Sequence, residues 1–163
     1  ILTGGEPMLW QKQLPDLLSQ EAFKGLEHIT IETNSTQKLT LDFRDFLDNK
    51  TELHITWSCS PKLSISGEDW KDAIKPSIVQ EYNRVRNSEL YLKFVVQDKN
   101  DIDEVKKAQD MYGLNVPVYL MPCGGTLEGL EFTEKDVAEL ALKHGYRFSP
   151  RLHVHLFGNA WGT

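Results

Sequence analysis

Three things are scarce in this chain: cysteine, concentrated positive charge and long apolar runs. Of 163 residues only two are cysteines, Cys59 and Cys123. They stand far apart, without a C-x-x-C or His/Cys spacing, which excludes a self-contained zinc or iron–sulfur motif and any disulfide framework. Lys and Arg number 18 against 24 Asp and Glu, for a net charge of −6 and a pI near 5.4. That balance argues against direct nucleic-acid binding, because phosphate recognition draws on clustered cations. No apolar run approaches the ~20 residues of a membrane-spanning helix. Neither a G-x-x-x-x-G-K-[ST] phosphate loop nor a G-x-G-x-x-G pattern occurs. No leader with a charged start, an apolar stretch and a small-residue cleavage site is present either, so the expectation is a cytoplasmic protein with no membrane partner. The chain also lacks an initiating Met. Ile1-Leu2 reads as the tail of a strand running into Gly4-Gly5, and the expectation is a chain that begins mid-domain.

What is there is an ordinary globular composition, 40% hydrophobic and 26% charged, long enough for one domain over 1–163 with a real core. Short β-branched or aromatic runs, Ile29 to Glu32, Leu53 to Trp57, Leu90 to Val96, Val116 to Met121 and Leu152 to Leu156, read as strands. Amphipathic segments lie between them. One starts at Thr133 with Asp136 three residues on, a capping box, buries Val137, Leu140 and Ala141 and stops near Gly145. A second covers Asp101 to Tyr112, and a third opens at Pro15 with Leu17, Leu18 and Phe23 behind it. Ser64 to Asn87 reads as an irregular excursion with short helices around Trp70 and Tyr82. Strands alternating with helices predict an α/β fold with a mainly parallel sheet and right-handed crossovers.

The unusual polar clusters follow the expected strands: Thr3-Gly4-Gly5-Glu6-Pro7, Glu32-Thr33-Asn34, Ser58-Cys59-Ser60-Pro61-Lys62, Pro122-Cys123-Gly124-Gly125 and Phe157-Gly158-Asn159. In parallel α/β folds the carboxyl ends of the strands share one face, where ligands bind, so these clusters should converge on one cleft. Gly4-Gly5 permits positive φ and close backbone approach to a ligand, and Glu6 offers a carboxylate for a cationic amine; a plain strand-to-helix turn explains the motif equally. Glu32-Thr33-Asn34 suits a ribose diol or a pterin-like ring, or simply ends a strand in an Asx turn. Ser60-Pro61-Lys62 supplies a hydroxyl, a rigid turn and a cation for a carboxylate or phosphate, or is an ordinary turn. Cys123 has no basic neighbour to activate it and is read as inert. Lys93 interrupts the apolar run Leu92-Lys93-Phe94-Val95-Val96, and a charge inside a strand is costly unless paired or wet. With His153 it is expected to line the interior of a barrel-like sheet. His155 shares His153's strand face in this reading and receives no role.

In order, Leu2-Thr3-Gly4-Gly5-Glu6-Pro7, Glu32-Thr33-Asn34-Ser35-Thr36, Ser60-Pro61-Lys62, Leu92-Lys93-Phe94-Val95 and Arg151-Leu152-His153 resemble the motif series of the 7-carboxy-7-deazaguanine synthases, radical S-adenosylmethionine (SAM) enzymes. Gly-Gly-Glu-Pro occurs across that superfamily; the later motifs carry the particular family. The resemblance implies a partial (β/α) barrel lacking its first β/α unit. It also implies a [4Fe–4S] cluster that cleaves SAM reductively, and Mg²⁺ assisting the ring contraction of 6-carboxy-5,6,7,8-tetrahydropterin to 7-carboxy-7-deazaguanine. An electron donor such as flavodoxin, a homodimer and a product that feeds queuosine-type deazapurine synthesis are further implications. By position, Gly4, Gly5, Glu6, Glu32, Ser60, Pro61, Lys62, Met121, Pro122, Cys123 and Gly124 would hold SAM. Thr3, Asn34, Lys93, His153 and Thr163 would meet the substrate.

Two departures stand out. Ser35 occupies a turn where that family often has glycine. The C-x-x-x-C-x-x-C loop and the Mg²⁺ ligand that the resemblance leads one to expect upstream of Ile1 are absent, so no metal ligand is assigned within the chain and the chain alone is expected to be inactive. A different radical SAM enzyme, such as a glycyl-radical activating enzyme, or a non-enzymatic α/β ligand-binding module are the competing expectations.

Overall fold

The computed structural model describes residues 1–158 and residue 160. Five parallel strands lie in sequence order: β1 (His28–Thr33), β2 (His54–Cys59), β3 (Ser88–Val96), β4 (Val118–Pro122) and β5 (Arg147–Phe148). Leu2 adds a parallel bridge to Ile31 outside β1. Its amide donates to the Thr30 carbonyl (2.8 Å) and its carbonyl accepts from Glu32 (2.9 Å), so Ile1-Leu2 does read as strand. The helices are α1 (Leu14–Leu18), α2 (Leu41–Asn49), α3 (Trp70–Ala73), α4 (Pro76–Tyr82), α5 (Lys99–Tyr112), α6 (Leu127–Glu131), α7 (Glu134–His144) and α8 (Leu152–Phe157). No helix among the described residues is long and apolar enough to cross a membrane.

The sheet has one dry face and one polar face. Alternate residues of a strand point to opposite sides. Ile29 and Ile31, Ile55 and Trp57, Leu90, Leu92 and Phe94, and Val118 and Leu120 are buried under the helices. The intervening residues, Thr30 and Glu32, Thr56 and Ser58, Tyr91 and Lys93, and Tyr119, form the other face. Trp57 stacks on Tyr82 of α4, ring centroids 4.5 Å apart, which clamps the middle strand to the helical layer. The arrangement is an open parallel α/β sheet compatible with part of a (β/α) barrel; the barrel is not closed.

Four of the expected strands form. The fifth does not: Leu152 to Leu156 is helical, part of α8. The edge of β4 is already taken, with Arg147 paired to Tyr119 and Phe148 to Leu120 and Ser149 N–H donating to the Leu120 carbonyl at 2.9 Å. A later run has no strand edge left there, so it coils and buries only Val154. α5 forms with a capping box closed by Asp98 and Asp101. The box expected at Thr133 does not form, because the Thr133 hydroxyl donates instead to the Cys123 carbonyl (2.6 Å). The Pro15 helix is shorter than expected and Phe23 lies in a separate single 3₁₀ turn, Glu21–Phe23. Ser64 to Asn87 holds the two short helices expected near Trp70 and Tyr82.

Candidate functional site

Hydrogen bonds just beyond the strands keep their carboxyl ends in line. Ser60 N–H donates to the Thr33 carbonyl (2.7 Å), and Cys123 N–H to the Val96 carbonyl (2.8 Å). The Leu2 bridge puts Thr3-Gly4-Gly5 beside the end of β1. The clusters at Thr3, Glu32, Ser60 and Met121 to Gly124 are thus at one end of one sheet, as the parallel topology requires.

On the polar face three of these residues meet. The Thr3 hydroxyl donates to Glu32 Oε2 at 2.9 Å, and Lys93 Nζ lies 3.4 Å from Glu32 Oε1, with side-chain exposures of 16% for Lys93 and 38% for Glu32. Lys93 therefore lies on the polar face of the sheet, opposite the helix-covered core. An ammonium has three donors, and this long contact uses one, leaving two without a partner among the described residues. Tyr91, on the same face, packs against Tyr119 with ring centroids 5.0 Å apart. Burial first, and the Glu32 carboxylate second, push its phenol above the usual tyrosine range, so Tyr91 stays a neutral donor at ordinary pH. Arg147 Nη1 donates to Tyr119 Oη (2.8 Å). Tyr91, Tyr119 and Arg147 were not singled out from sequence; the alternation of β3 and β4 around Lys93 was the available signal.

Glu6 behaves differently from the expectation that its carboxylate is open to a ligand amine. Oε1 accepts from Thr33 Oγ1 (2.8 Å) and Met8 N–H (3.0 Å), and Oε2 from Asn34 N–H (2.7 Å). Glu6 is a strut joining the first loop to the end of β1, and what the motif presents outward is backbone. Gly4 (φ +85°) and Gly5 (φ +53°) take left-handed conformations with open space where a side chain would be. Asn34 closes an Asx turn, its Oδ1 accepting from Thr36 N–H (3.0 Å) and Thr36 Oγ1 (2.8 Å), with its amide nitrogen left over. Ser35 adopts φ +65°, the left-handed geometry that its glycine-like position demands.

A cleft of about 150 Å³ opens between the β2 and β4 loops, lined by Ser60, Pro61, Lys62, Val95, Cys123 and Arg151, among others. Gly124, next to the lining residue Cys123, has φ +153°, and a methyl group there would sit 2.9 Å from Leu130 Cδ2. Arg151, which sequence reasoning quoted but assigned no role, enters this cleft with its Nε donating to the Pro122 carbonyl (2.9 Å). His153 lies in α8 rather than in a strand, which removes the basis for placing it on the barrel interior. His155 pairs with Glu134 at 3.1 Å, tying α8 to α7. Thr163 and Asn159 lie outside the described residues.

The two cofactor types fare differently. Open glycine backbone at the strand ends and a cleft bearing two cations fit part of an amino-acid-bearing nucleoside such as SAM; the cleft volume is below the roughly 300 Å³ of a whole ligand pocket, so it takes one end of such a molecule. An iron–sulfur cluster or Mg²⁺ finds no ligand set among the described residues. Cys59 is fully buried on the dry face, its thiol pushed up to about 12 by burial, and among the described residues no three His, Cys, Asp or Glu side chains converge on a metal-sized site.

No family model matches the chain, and no solved structure matches it. Curated proteins do. The chain is 32% identical to the 7-carboxy-7-deazaguanine synthase of Halobacterium salinarum, over 98% of this chain and 65% of that protein. It is 29% identical to that of Pyrobaculum aerophilum, over 99% and 66%, and 29% identical to that of Rhodopirellula baltica, over 100% and 63%. The chain spans just under two thirds of the length of the curated relatives it matches. By sequence, then, it is similar over nearly its whole length to 7-carboxy-7-deazaguanine synthases.

Proposed function

We propose that this chain forms the ligand-holding wall of a 7-carboxy-7-deazaguanine synthase that acts on 6-carboxy-5,6,7,8-tetrahydropterin by radical SAM chemistry, in deazapurine biosynthesis. The observation that carries this reading is the Thr3–Glu32–Lys93 array at the carboxyl ends of parallel strands, beside a cation-lined cleft. The names of the relatives support the activity; the array supports the substrate. SAM, when bound, supplies the radical that starts the ring contraction, and no step is assigned to a metal, whose ligands this reading takes from outside these residues.

The chain's own groups divide the remaining work. The Lys93 ammonium balances the pterin carboxylate, while Glu32 accepts from the N–H groups of the ring and Thr3 orients the Glu32 carboxylate. The left-handed Gly4-Gly5 backbone lies against the amino-acid part of SAM, and the Asn34 amide nitrogen offers donors toward the same space. Glu6 touches no ligand in this scheme and holds the two loops in register. Binding and orienting of this kind is what a protein contributes when a cofactor carries the difficult chemistry.

The test is an anaerobic assay of the protein expressed from its full coding sequence, given SAM, a reductant, Mg²⁺ and 6-carboxytetrahydropterin, with products identified by mass spectrometry. Appearance of 7-carboxy-7-deazaguanine is the expected result. Cleavage of SAM without that product would overturn the substrate assignment alone, and no cleavage by a cluster-loaded protein would overturn the radical reading.

A further inference from the structure

On the helix side of the sheet, away from Lys93, a separate cavity of about 220 Å³ lies between α2 and α4. Both helices belong to the dry side: Phe43 and Leu47 of α2 and Ile78, Val79 and Tyr82 of α4 are core residues, and Tyr82 stacks on Trp57. Lys38, Arg44 and Arg84 line the cavity with Ser77 and Glu81, so three cations share it with one carboxylate on a chain whose net charge is −6. The chain has five arginines, and a third, Arg86, stands one contact away. Its amide donates to Asp48 Oδ1 (2.8 Å), and Asp48 Oδ2 lies 3.6 Å from Arg44 Nε.

The nearby carboxylates already have work. Asp48 is held as above, and Glu81 Oε2 accepts from Leu39 N–H at 3.3 Å. Neither Lys38 Nζ nor the Arg84 guanidinium has a hydrogen-bond or ion-pair partner among the described residues. The backbone that carries Lys38 is fixed in advance. Buried Gln11 donates through Nε2 to the Lys38 carbonyl (2.8 Å) and accepts from Thr40 N–H (2.8 Å), so binding there orders little further chain.

Cations gathered around a confined volume favour an anion. The planar fork of arginine matches phosphate oxygens, and lysine adds a point charge. The Ser77 hydroxyl is a further donor. Glu81 acts in the opposite sense, disfavouring a bare anion and accepting from hydroxyl groups on the same ligand. We propose that Lys38, Arg44 and Arg84 form a binding site for a small phosphate monoester that also carries hydroxyl groups, with the phosphate on the cations and a hydroxyl on Glu81. The cavity is smaller than the roughly 300 Å³ of a usual ligand pocket, which suits a ligand of sugar phosphate size. The sheet and its core separate it from the Thr3–Glu32–Lys93 array, so this site stands or falls apart from the proposed function.

Isothermal titration of the protein expressed from its full coding sequence tests this with three probes: ribose 5-phosphate, ribose and inorganic phosphate. Ribose 5-phosphate is expected to bind at least about tenfold more tightly than either of the others. Arg84→Gln and Lys38→Met, made separately, should each weaken it about tenfold or more. Both side chains are exposed, so the circular dichroism of the variants should match the wild type. Arg84→Lys should recover part of the loss. No binding of ribose 5-phosphate overturns the site, and so does binding that survives in both variants, which would put the phosphate elsewhere. Ribose binding as tightly as its phosphate overturns phosphate recognition. Inorganic phosphate binding as tightly as ribose 5-phosphate overturns the role given to Glu81.

Discussion

Lys93 on β3 reaches past β2 to Glu32 on β1, Nζ to Oε1 3.4 Å, across the polar face of the sheet. The contact is long for a charge-assisted hydrogen bond, and the lysine is mostly enclosed while the carboxylate is partly open. Such a pair does little for the fold, since a solvent-reachable ion pair contributes about 0–1 kcal/mol. It does fix where a charge of either sign can be met on the polar face of the sheet.

Replacing that lysine should therefore separate stability from function. Lys93→Met is expected to change unfolding free energy by less than about 1 kcal/mol and to lower product formation at least about tenfold, one lost charge-assisted contact. Urea titration and the product assay, run on one preparation, check both halves. A large loss of stability would show that the pair holds the sheet together.

Glu6 should behave in the opposite way. Its carboxylate accepts from Thr33, Asn34 and Met8, and a glutamine would turn an NH₂ group toward at least one of these donors. Glu6→Gln should destabilise by about 1–3 kcal/mol, read as a lower urea midpoint with unchanged slope. A stable variant with weakened ligand binding would return Glu6 to the ligand.

Ser35 sits at φ +65°, where an L side chain meets the following carbonyl. Ser35→Gly removes that strain and is expected to stabilise by up to about 1 kcal/mol. Thermal melting decides the sign, and a lower melting temperature would mean that the buried serine side chain matters more than its backbone.

Gly124 tests the reverse case. A methyl group there would meet Leu130 Cδ2 at 2.9 Å and the Gly129–Leu130 backbone at 3.1 Å. Gly124→Ala should cost about 1–3 kcal/mol, seen as a lower urea midpoint.

Alkaline pH should erode stability in two stages. Burial raises the Cys59 thiol from 9.0 to about 12, so the unfolded chain loses this proton first. The stabilisation is fully present below pH 9 and declines as pH rises through about 12. Tyr82 and Tyr112, both pushed above the usual tyrosine range chiefly by burial, steepen the decline above pH 10. Urea midpoints between pH 7 and 11 should fall from pH 9 in the wild type and only from about pH 10 in Cys59→Ala. Native Cys59 should resist iodoacetamide while partly exposed Cys123 is alkylated.

Periodicity made the sheet legible. The alternation in β1, β3 and β4 located the strands and put Lys93 on the face away from the core, because a lone charge in an apolar run is tolerated where it is paired or wet. The same alternation misled at Leu152 to Leu156. There the pattern suits a strand, yet Arg147 and Phe148 have already filled the edge beside Leu120. Helix α2 went unnoticed although Thr40 caps it through the Phe43 amide (3.4 Å) and Phe43 and Leu47 stand four residues apart. Arg151 was visible only as a letter in a motif, since nothing local shows that it lines the same cleft as Lys62.

The sequence by itself determined the alternating α/β plan, the parallel strands, the loops that carry polar groups and the resemblance to the deazaguanine synthases, because these are written in local spacing and ordered motifs. The tertiary structure decided where those groups sit: Glu6 hydrogen-bonded to the end of β1, His153 on a helix, and Lys62 with Arg151 in one cleft. Those outcomes depend on which donors and strand edges other segments have already occupied, a long-range competition that no local window of residues contains.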